Sequence, residues 1–372
     1  MPVFFRSFSR LSSSCFTARR FSSIIRTPGI DTVGAFEEET LPWYKPEQFY
    51  PVRIGETLNS TYKVLGKLGY GAYSTSWLCR NLKYATIKVF SGSSADPPDR
   101  NEDYVTIKVC TQEAARSARL RRELQFYKHV STMDSKHIGT AFIRSLFEAF
   151  EISTPAGQHL CLVHPPMHMT IRELQYKNPS QRLNEPLIKW VLMNTFRALS
   201  FLHDEAHVVH TESRTRRPVA TKVIDNARTI YGSRKLGLPK GIEWGQPVLC
   251  DFGEARIGDV HKSVDIWSVG VMLWDLFENQ HLFNAQDEEK KSSATHHIAE
   301  MIAYLGMPPL EYTRRSDDMR HVFDDDDLLG RWKWTGKYDI PPISLEESER
   351  NLSDENKQRF LEFVRSMLRW LP

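Results

Sequence analysis

The sequence predicts an α+β molecule of two lobes, an antiparallel sheet with one helix followed by a mostly helical lobe. Three observations predict it. Up to His164 the chain is dominated by short alternating or β-branched stretches, among them Tyr62–Cys79, 104–110 (YVTIKVC) and 158–164. Only one stretch in this half, 112–130, has helical periodicity. Beyond His164-Pro165-Pro166 the 3.6-residue period takes over, most clearly in 185–203 (EPLIKWVLMNTFRALSFLH).

Taken in order, residues 1–30 stand apart from the rest. Five arginines, Arg6, Arg10, Arg19, Arg20 and Arg26, lie among seven serines with phenylalanines interleaved, and no acid precedes Asp31. Arginine-rich, serine-rich and acid-poor is the composition of a mitochondrial transit peptide, and equally of a basic tail outside the fold. Residues 31–60 are an aperiodic lead-in. The first lobe is expected over 61–164. It opens with a hairpin that turns at Gly69 and Gly71, and then two similar strands, 84–90 (YATIKVF) and 104–110, are separated by a loop-like SGSSADPPDRNED. The helix over 112–130 and strand-like 142–150 and 158–164 complete it. The second lobe, 165–372, has a polar stretch at 212–246, a buried strand PVLCDF, and helices over 263–278, 293–305 and 354–370.

Composition narrows the function classes. Hydrophobic residues are 41% and charged residues 26%, with a net charge of +3, which calls for no direct nucleic-acid partner. The five cysteines, Cys15, Cys79, Cys110, Cys161 and Cys250, have neither CxxC pairing nor zinc spacing with histidine, so they read as buried thiols in a reducing compartment. No apolar run reaches the roughly 18 residues of a membrane span.

The chemistry-bearing residues come in a definite order. Gly69 and Gly71 let a backbone approach phosphate groups with no side chain in the way. A strand lysine follows, then a helix glutamate, Glu123, then Asp251-Phe252-Gly253. One such motif is weak; the ordered set is that of phosphoryl transfer. Two lysines satisfy the order. Lys88 lies 19 residues after Gly69, and Lys108 lies 15 residues before Glu123. The second spacing lets a strand run directly into the helix, and loops absorb insertions more cheaply than that junction, so Lys108 is taken, with Lys88 as the alternative.

The glycine loop, TIKV, RRELQFY, VLCDFGEAR and DIWSVGVMLWDLFENQHLF resemble the SRPK-like (serine/arginine-rich-protein kinase) family, especially its fungal members, over residues 41 to 372. The resemblance implies a bilobal kinase fold, ATP and Mg²⁺, an Arg/Ser-rich protein substrate, and a nuclear and cytoplasmic location. It implies that Gly69 and Gly71 cover the phosphates, that Lys108 (or Lys88) pairs with them and with Glu123, and that Asp251 holds the metal. His164 to Met167 would be the hinge beside adenine, where Ser76 replaces an apolar packing residue. His210 and Asp265 would orient the catalytic loop. Trp190, Trp267 and Trp274 read as core, and Asp324–Asp327 as a solvated acidic run, with docking of Arg-rich peptides as the alternative.

The chain also departs from that pattern. After Val208-Val209-His210-Thr211 the catalytic aspartate, lysine and asparagine are replaced by Glu212, Arg214 and Arg217. Only 14 residues separate Asp251 from Asp265, leaving no activation segment. Either this is a kinase fold that has lost catalysis, a pseudokinase or scaffold, or it is a mis-spliced version of an active kinase. Intact motifs flanking each gap point to missing blocks.

Overall fold

The structure is a computed structural model that describes residues 3–6, 35–42, 44–83, 103–112, 118–155, 157–210, 222–223, 229–233, 245–258, 261–315, 317–326 and 331–371. Lys88 and its strand, Glu212, Arg214, Arg217 and most of the arginine-rich segment lie outside these residues. The chain divides into two compact units. One comprises Pro2–Ile171 and Met193–Val260, the other Arg172–Leu192 and His261 onward.

The strands of the first unit are β1 (Val3–Arg6), β2 (Thr57–Leu58), β3 (Tyr62–Gly71), β4 (Ser74–Asn81), β5 (Tyr104–Cys110), β6 (Glu148–Thr154) and β7 (Gly157–His164). They are followed by β8 (Val208–Val209), β9 (Lys222–Val223), β10 (Thr229–Ile230), β11 (Gln246–Leu249) and β12 (Arg256–Ile257). Six of them form one antiparallel sheet in the order β2-β3-β4-β5-β7-β6. The side-chain period of two sorts its residues. Val64, Trp77, Cys79, Val105, Ile107, Val109, Cys161 and Val163 make a core on one face. Cys110 and Leu162, on the other face, pack with Leu120 of helix α1 (Ala118–Ser131).

Helix α1 buries Leu120, Glu123, Phe126 and Tyr127, spaced as one helical stripe. Among the described residues the expected hairpin, the helix and the strands at 104–110 and 158–164 are present, while the strand expected over 84–90 lies outside them. In two places they differ in detail. The glycines fall on the end of β3, beside a register irregularity between Lys67 and Gly69, while the two-residue turn is Ala72-Tyr73. The strand expected over 142–150 begins only at Glu148, and Phe142 instead closes a 3₁₀ turn over Ile138–Phe142. Gly139 is required there, because a Cβ would lie 2.1 Å from the carbonyl oxygen of Arg197.

Two segments that the sequence left outside the fold are drawn into it. β1 pairs antiparallel with β11, Val3 opposite Leu249 and Arg6 opposite Gln246, so those four residues satisfy a strand edge that would otherwise be open. In the polar stretch after the catalytic loop, Ile230 is buried and Tyr231 meets Trp77 edge-on at 5.8 Å. Polarity hid these contacts because only two large apolar side chains make them.

The second unit is helical, with α2 (Ile171–Lys177), part of α3 (Glu185–Ser200), α4 (Ser263–Glu278), α5 (Ala294–Leu305), α6 (Leu310–Thr313), α7 (Leu345–Ser348) and α8 (Asp354–Met367). Gly270 lets α4 approach the end of α8, where a Cβ would stand 3.0 Å from Leu368. Trp274 is fully buried, but Trp267 and Trp190 are half-buried, Trp267 stacking on Phe283. Part of the acidic run is strand: β13 (Phe323–Asp326) pairs with β14 (Arg331–Trp334), placing Asp324 opposite Lys333 and Asp326 opposite Arg331, with Asp324 exposed. The opposite charges of Asp324 and Lys333 favour that register. Among the described residues no helix is long and apolar enough to cross a membrane.

Candidate functional site

The site lies within the first unit and starts from strand register. Gly69, Ser76, Lys108, Leu162 and Ala149 stand directly opposite one another across β3, β4, β5, β7 and β6. Directly paired residues share a face, so Lys108 and the glycine end of β3 face the same side, two strand spacings or roughly 10 Å apart. Ser76 sits between them.

Lys108 Nζ donates to Glu123 Oε2 at 2.6 Å, joining the sheet to α1. The lysine side chain retains 25% of its exposure while the glutamate keeps 6%, so the pair opens on one side only. Burial works to lower the Lys108 pKa, but Glu123, Cys110 and Asp251 outweigh it and push the ammonium up to about 12. It is a fixed cation at any physiological pH. Burial also pushes the neighbouring Cys110 and Cys250 thiols up to about 12, so neither is a thiolate nucleophile. The four cysteines within the described residues are buried and free, as read.

Asp251 follows β11 with φ of +66°, a left-handed conformation that is costly for a residue with a side chain. It is held from three sides. The next residue, Phe252, is fully buried, stacked on Phe126 at 3.8 Å and met edge-on by Tyr127 at 5.7 Å and His210 at 5.0 Å. His210 Nε2–H donates to the Cys250 carbonyl at 2.8 Å. From α1, Arg122 reaches over the turn, its Nε donating to the Gly253 carbonyl at 3.1 Å and Nη2 to Glu254 at 2.6 Å. No local pattern points to the pairing of Arg122 with Glu254, since their partnership spans 132 residues. Beyond the turn, β12 pairs with β8 and Gly258 N–H donates to the His207 carbonyl at 2.8 Å, so the chain after Asp251 is tied down at once.

Two further observations bear on a ligand. A Cβ at Gly69 would meet nothing within 4 Å and one at Gly71 only Ser74 Oγ at 4.0 Å, and neither has positive φ. Nothing in the free chain therefore requires glycine at either position; a group approaching the backbone would. Among the described residues no three His, Cys, Asp or Glu side chains gather to hold a metal. Asp251 alone suits Mg²⁺, which takes one or two carboxylates together with nucleotide phosphates.

At the end of β7, His164 is buried, its Nδ1–H donating to the Ser145 carbonyl at 2.8 Å. Burial, then the Arg144 charge, hold its pKa well below the ordinary histidine value, so it stays neutral in the fold. In the unfolded chain it gains a proton below about pH 6.5. Stability is therefore complete above that pH and is lost as pH falls, at up to about 1.4 kcal/mol per pH unit. Unfolding free energies measured at pH 7 and 5.5 should show this slope, and His164→Gln should flatten it by one proton's worth; an unchanged slope would contradict the assignment.

A sheet carrying a lysine–glutamate pair, with an aspartate turn locked beneath the same helix, is the core of a protein-kinase-like phosphotransferase. No family model matches the chain. It is, however, 38% identical over 375 residues to a serine/threonine protein kinase of Aspergillus fumigatus, across 93% of this chain and 89% of that one. It is 19% identical over 347 residues to the serine/threonine-protein kinase SRPK of Physarum polycephalum, 77% of each chain. Over 176 residues, 47% of this chain and 28% of the other, it is 26% identical to mouse SRSF protein kinase 3. The chain belongs to the serine/threonine protein kinases, and is similar at lower identity to kinases of SRPK type.

Proposed function

We propose that this site serves ATP- and Mg²⁺-dependent phosphorylation of serine in Arg/Ser-rich proteins. The observation that carries the reading is the Lys108–Glu123 pair, held on the face that Gly69 shares and close enough to Asp251 to feel its charge. ATP with Mg²⁺ supplies the phosphoryl group and the metal charge that offsets its negative oxygens. Gly69 and Gly71 would present backbone N–H groups to the phosphates, Lys108 would grip them while Glu123 fixes its ammonium, and Asp251 would hold the metal. The residues from His164 to Met167 would present backbone groups to the adenine.

A second reading, a non-catalytic pseudokinase or scaffold, is favoured by Glu212 and Arg217 in place of the family's base and metal-binding asparagine, and by the 14-residue interval from Asp251 to Asp265. Glu212 is the residue at the base position; Arg217 would set a cation where a second Mg²⁺ belongs.

Nucleotide binding tests the part of the site common to both readings. Saturating ATP–Mg²⁺ at 100 times its Kd should stabilise the chain by about 2.7 kcal/mol in a thermal shift. Lys108→Met, which removes a charge-assisted bond, should weaken binding about tenfold or more. Gly71→Ala should weaken it while leaving the unfolding midpoint of the free chain in place, because its Cβ meets open space. If Lys88→Met removes the shift and Lys108→Met does not, the lysine assignment is wrong.

A further inference from the structure

We propose that Arg122 is a positioning residue for Asp251, and that its two-pronged grip on the following turn sets the metal-binding competence of the site. The inference rests on the nucleotide-site reading above. Asp251 is a point of backbone strain, with φ of +66°. Such a conformation persists only where its surroundings over-determine it. Upstream, the Cys250 carbonyl is fixed by His210 at 2.8 Å. Downstream, the Ala255 N–H donates to the Phe252 carbonyl at 3.1 Å, closing a tight turn over Gly253 and Glu254. In that turn Phe252, Gly253 and Ala255 are buried and only Glu254 stays partly open, so an external clamp acts on the part that packing leaves open.

Arg122 supplies one that no shorter or single-pronged side chain reproduces. Its planar guanidinium addresses a backbone carbonyl through Nε and a carboxylate through Nη2 simultaneously, at 3.1 and 2.6 Å. It precedes Glu123 on α1, and Phe126 and Tyr127 lie one turn further on. One helix thereby sets the ammonium of Lys108, the ring of Phe252 and the turn beyond Asp251. Displacement of α1 would disturb the lysine and the aspartate together, so the two halves of the nucleotide site are coupled through consecutive residues.

The pair is partly open to solvent, with side-chain exposures of 24% and 26%. Its bulk electrostatic value is accordingly small. Its consequence is geometric, in the sense that residues orienting a metal ligand alter metal affinity about 10- to 100-fold when removed.

The test uses the full chain with Arg122→Ala, Arg122→Lys and the charge swap Arg122→Glu with Glu254→Arg. Backbone hydrogen exchange over 251–256, measured without nucleotide, should rise about tenfold in Arg122→Ala while β5 keeps its protection. The Mg²⁺ concentration needed for half-maximal ATP binding should rise about tenfold or more, with metal-free ATP binding unchanged. Arg122→Lys, which cannot bridge both acceptors, should resemble alanine, and the charge swap should recover part of the loss. Unchanged exchange over 251–256, or equal loss of metal-free and metal-dependent binding, would overturn the proposal. If the native chain binds no nucleotide while the exchange effect is present, the nucleotide reading fails and the clamp on the turn stands.

Discussion

Glu212→Asp by itself will leave phosphorylation of an Arg/Ser peptide at background. Phosphoryl transfer depends on donor, metal and acceptor being held in line, and a displacement of about an ångström costs on the order of 100-fold. The extra methylene of a glutamate at the base position would displace the carboxylate by that much. Restoring the aspartate would do nothing for Arg217, which at the family's asparagine position would set a cation where a second metal belongs, or for the short Asp251–Asp265 interval, where an activation segment would dock the protein substrate. Defects in one constellation are not additive, so repairing one recovers little. A chain with both missing blocks rebuilt should turn over, and that turnover should vanish in Asp251→Ala. Strong labelling by the unmodified chain, abolished by Asp251→Ala, would show that other residues supply the base and groove. Sequencing the transcript across codons 211–265 then separates a lost activity from missing blocks.

Lys67→Met should destabilise the first unit by about 3–5 kcal/mol, the cost of leaving buried carboxylates without their cation. Lys67 is only 1% exposed and sits on β3, two residues before Gly69. Its ammonium lies 3.1 Å from Glu37 and bonds Glu38, both buried. Glu37 also accepts the Ser233 N–H at 3.0 Å and hydroxyl at 2.6 Å, so the lead-in segment and the stretch after the catalytic loop converge on the strand bearing the glycines. Replacing all three charges, as Lys67→Met with Glu37→Gln and Glu38→Gln, should recover most of the loss, since no bare charge remains buried. Denaturant unfolding would show both effects. A loss below about 1 kcal/mol for Lys67→Met alone would mean that water reaches the carboxylates, in conflict with their burial.

Most of the fold was legible because its signals are local. Alternation in Tyr62–Cys79 and the β-branched run at 104–110 became β3, β4 and β5, and the 3.6-residue period of 185–203 became α3, its end wound as one π-helical turn over Phe201–Glu205. The order of Gly69, Gly71, Lys108, Glu123 and Asp251 was likewise a property of the chain read end to end.

Contacts whose members are distant in sequence and carry no periodic signal could not be read this way. Arg122 and Glu254 are ordinary surface charges until α1 and the Asp251 turn are brought together, and Lys67 looks like any strand lysine until Glu37 and Glu38 fold over it. Val3–Arg6 reads as part of a basic segment because its pairing with β11 uses backbone groups, which every residue has. The sequence by itself determined the elements, their order and the kinds of side chain available for phosphate and metal. Tertiary structure alone decided which of those side chains meet, because the face a residue takes and the partner it finds there depend on strand register and on the packing of α1 against the sheet.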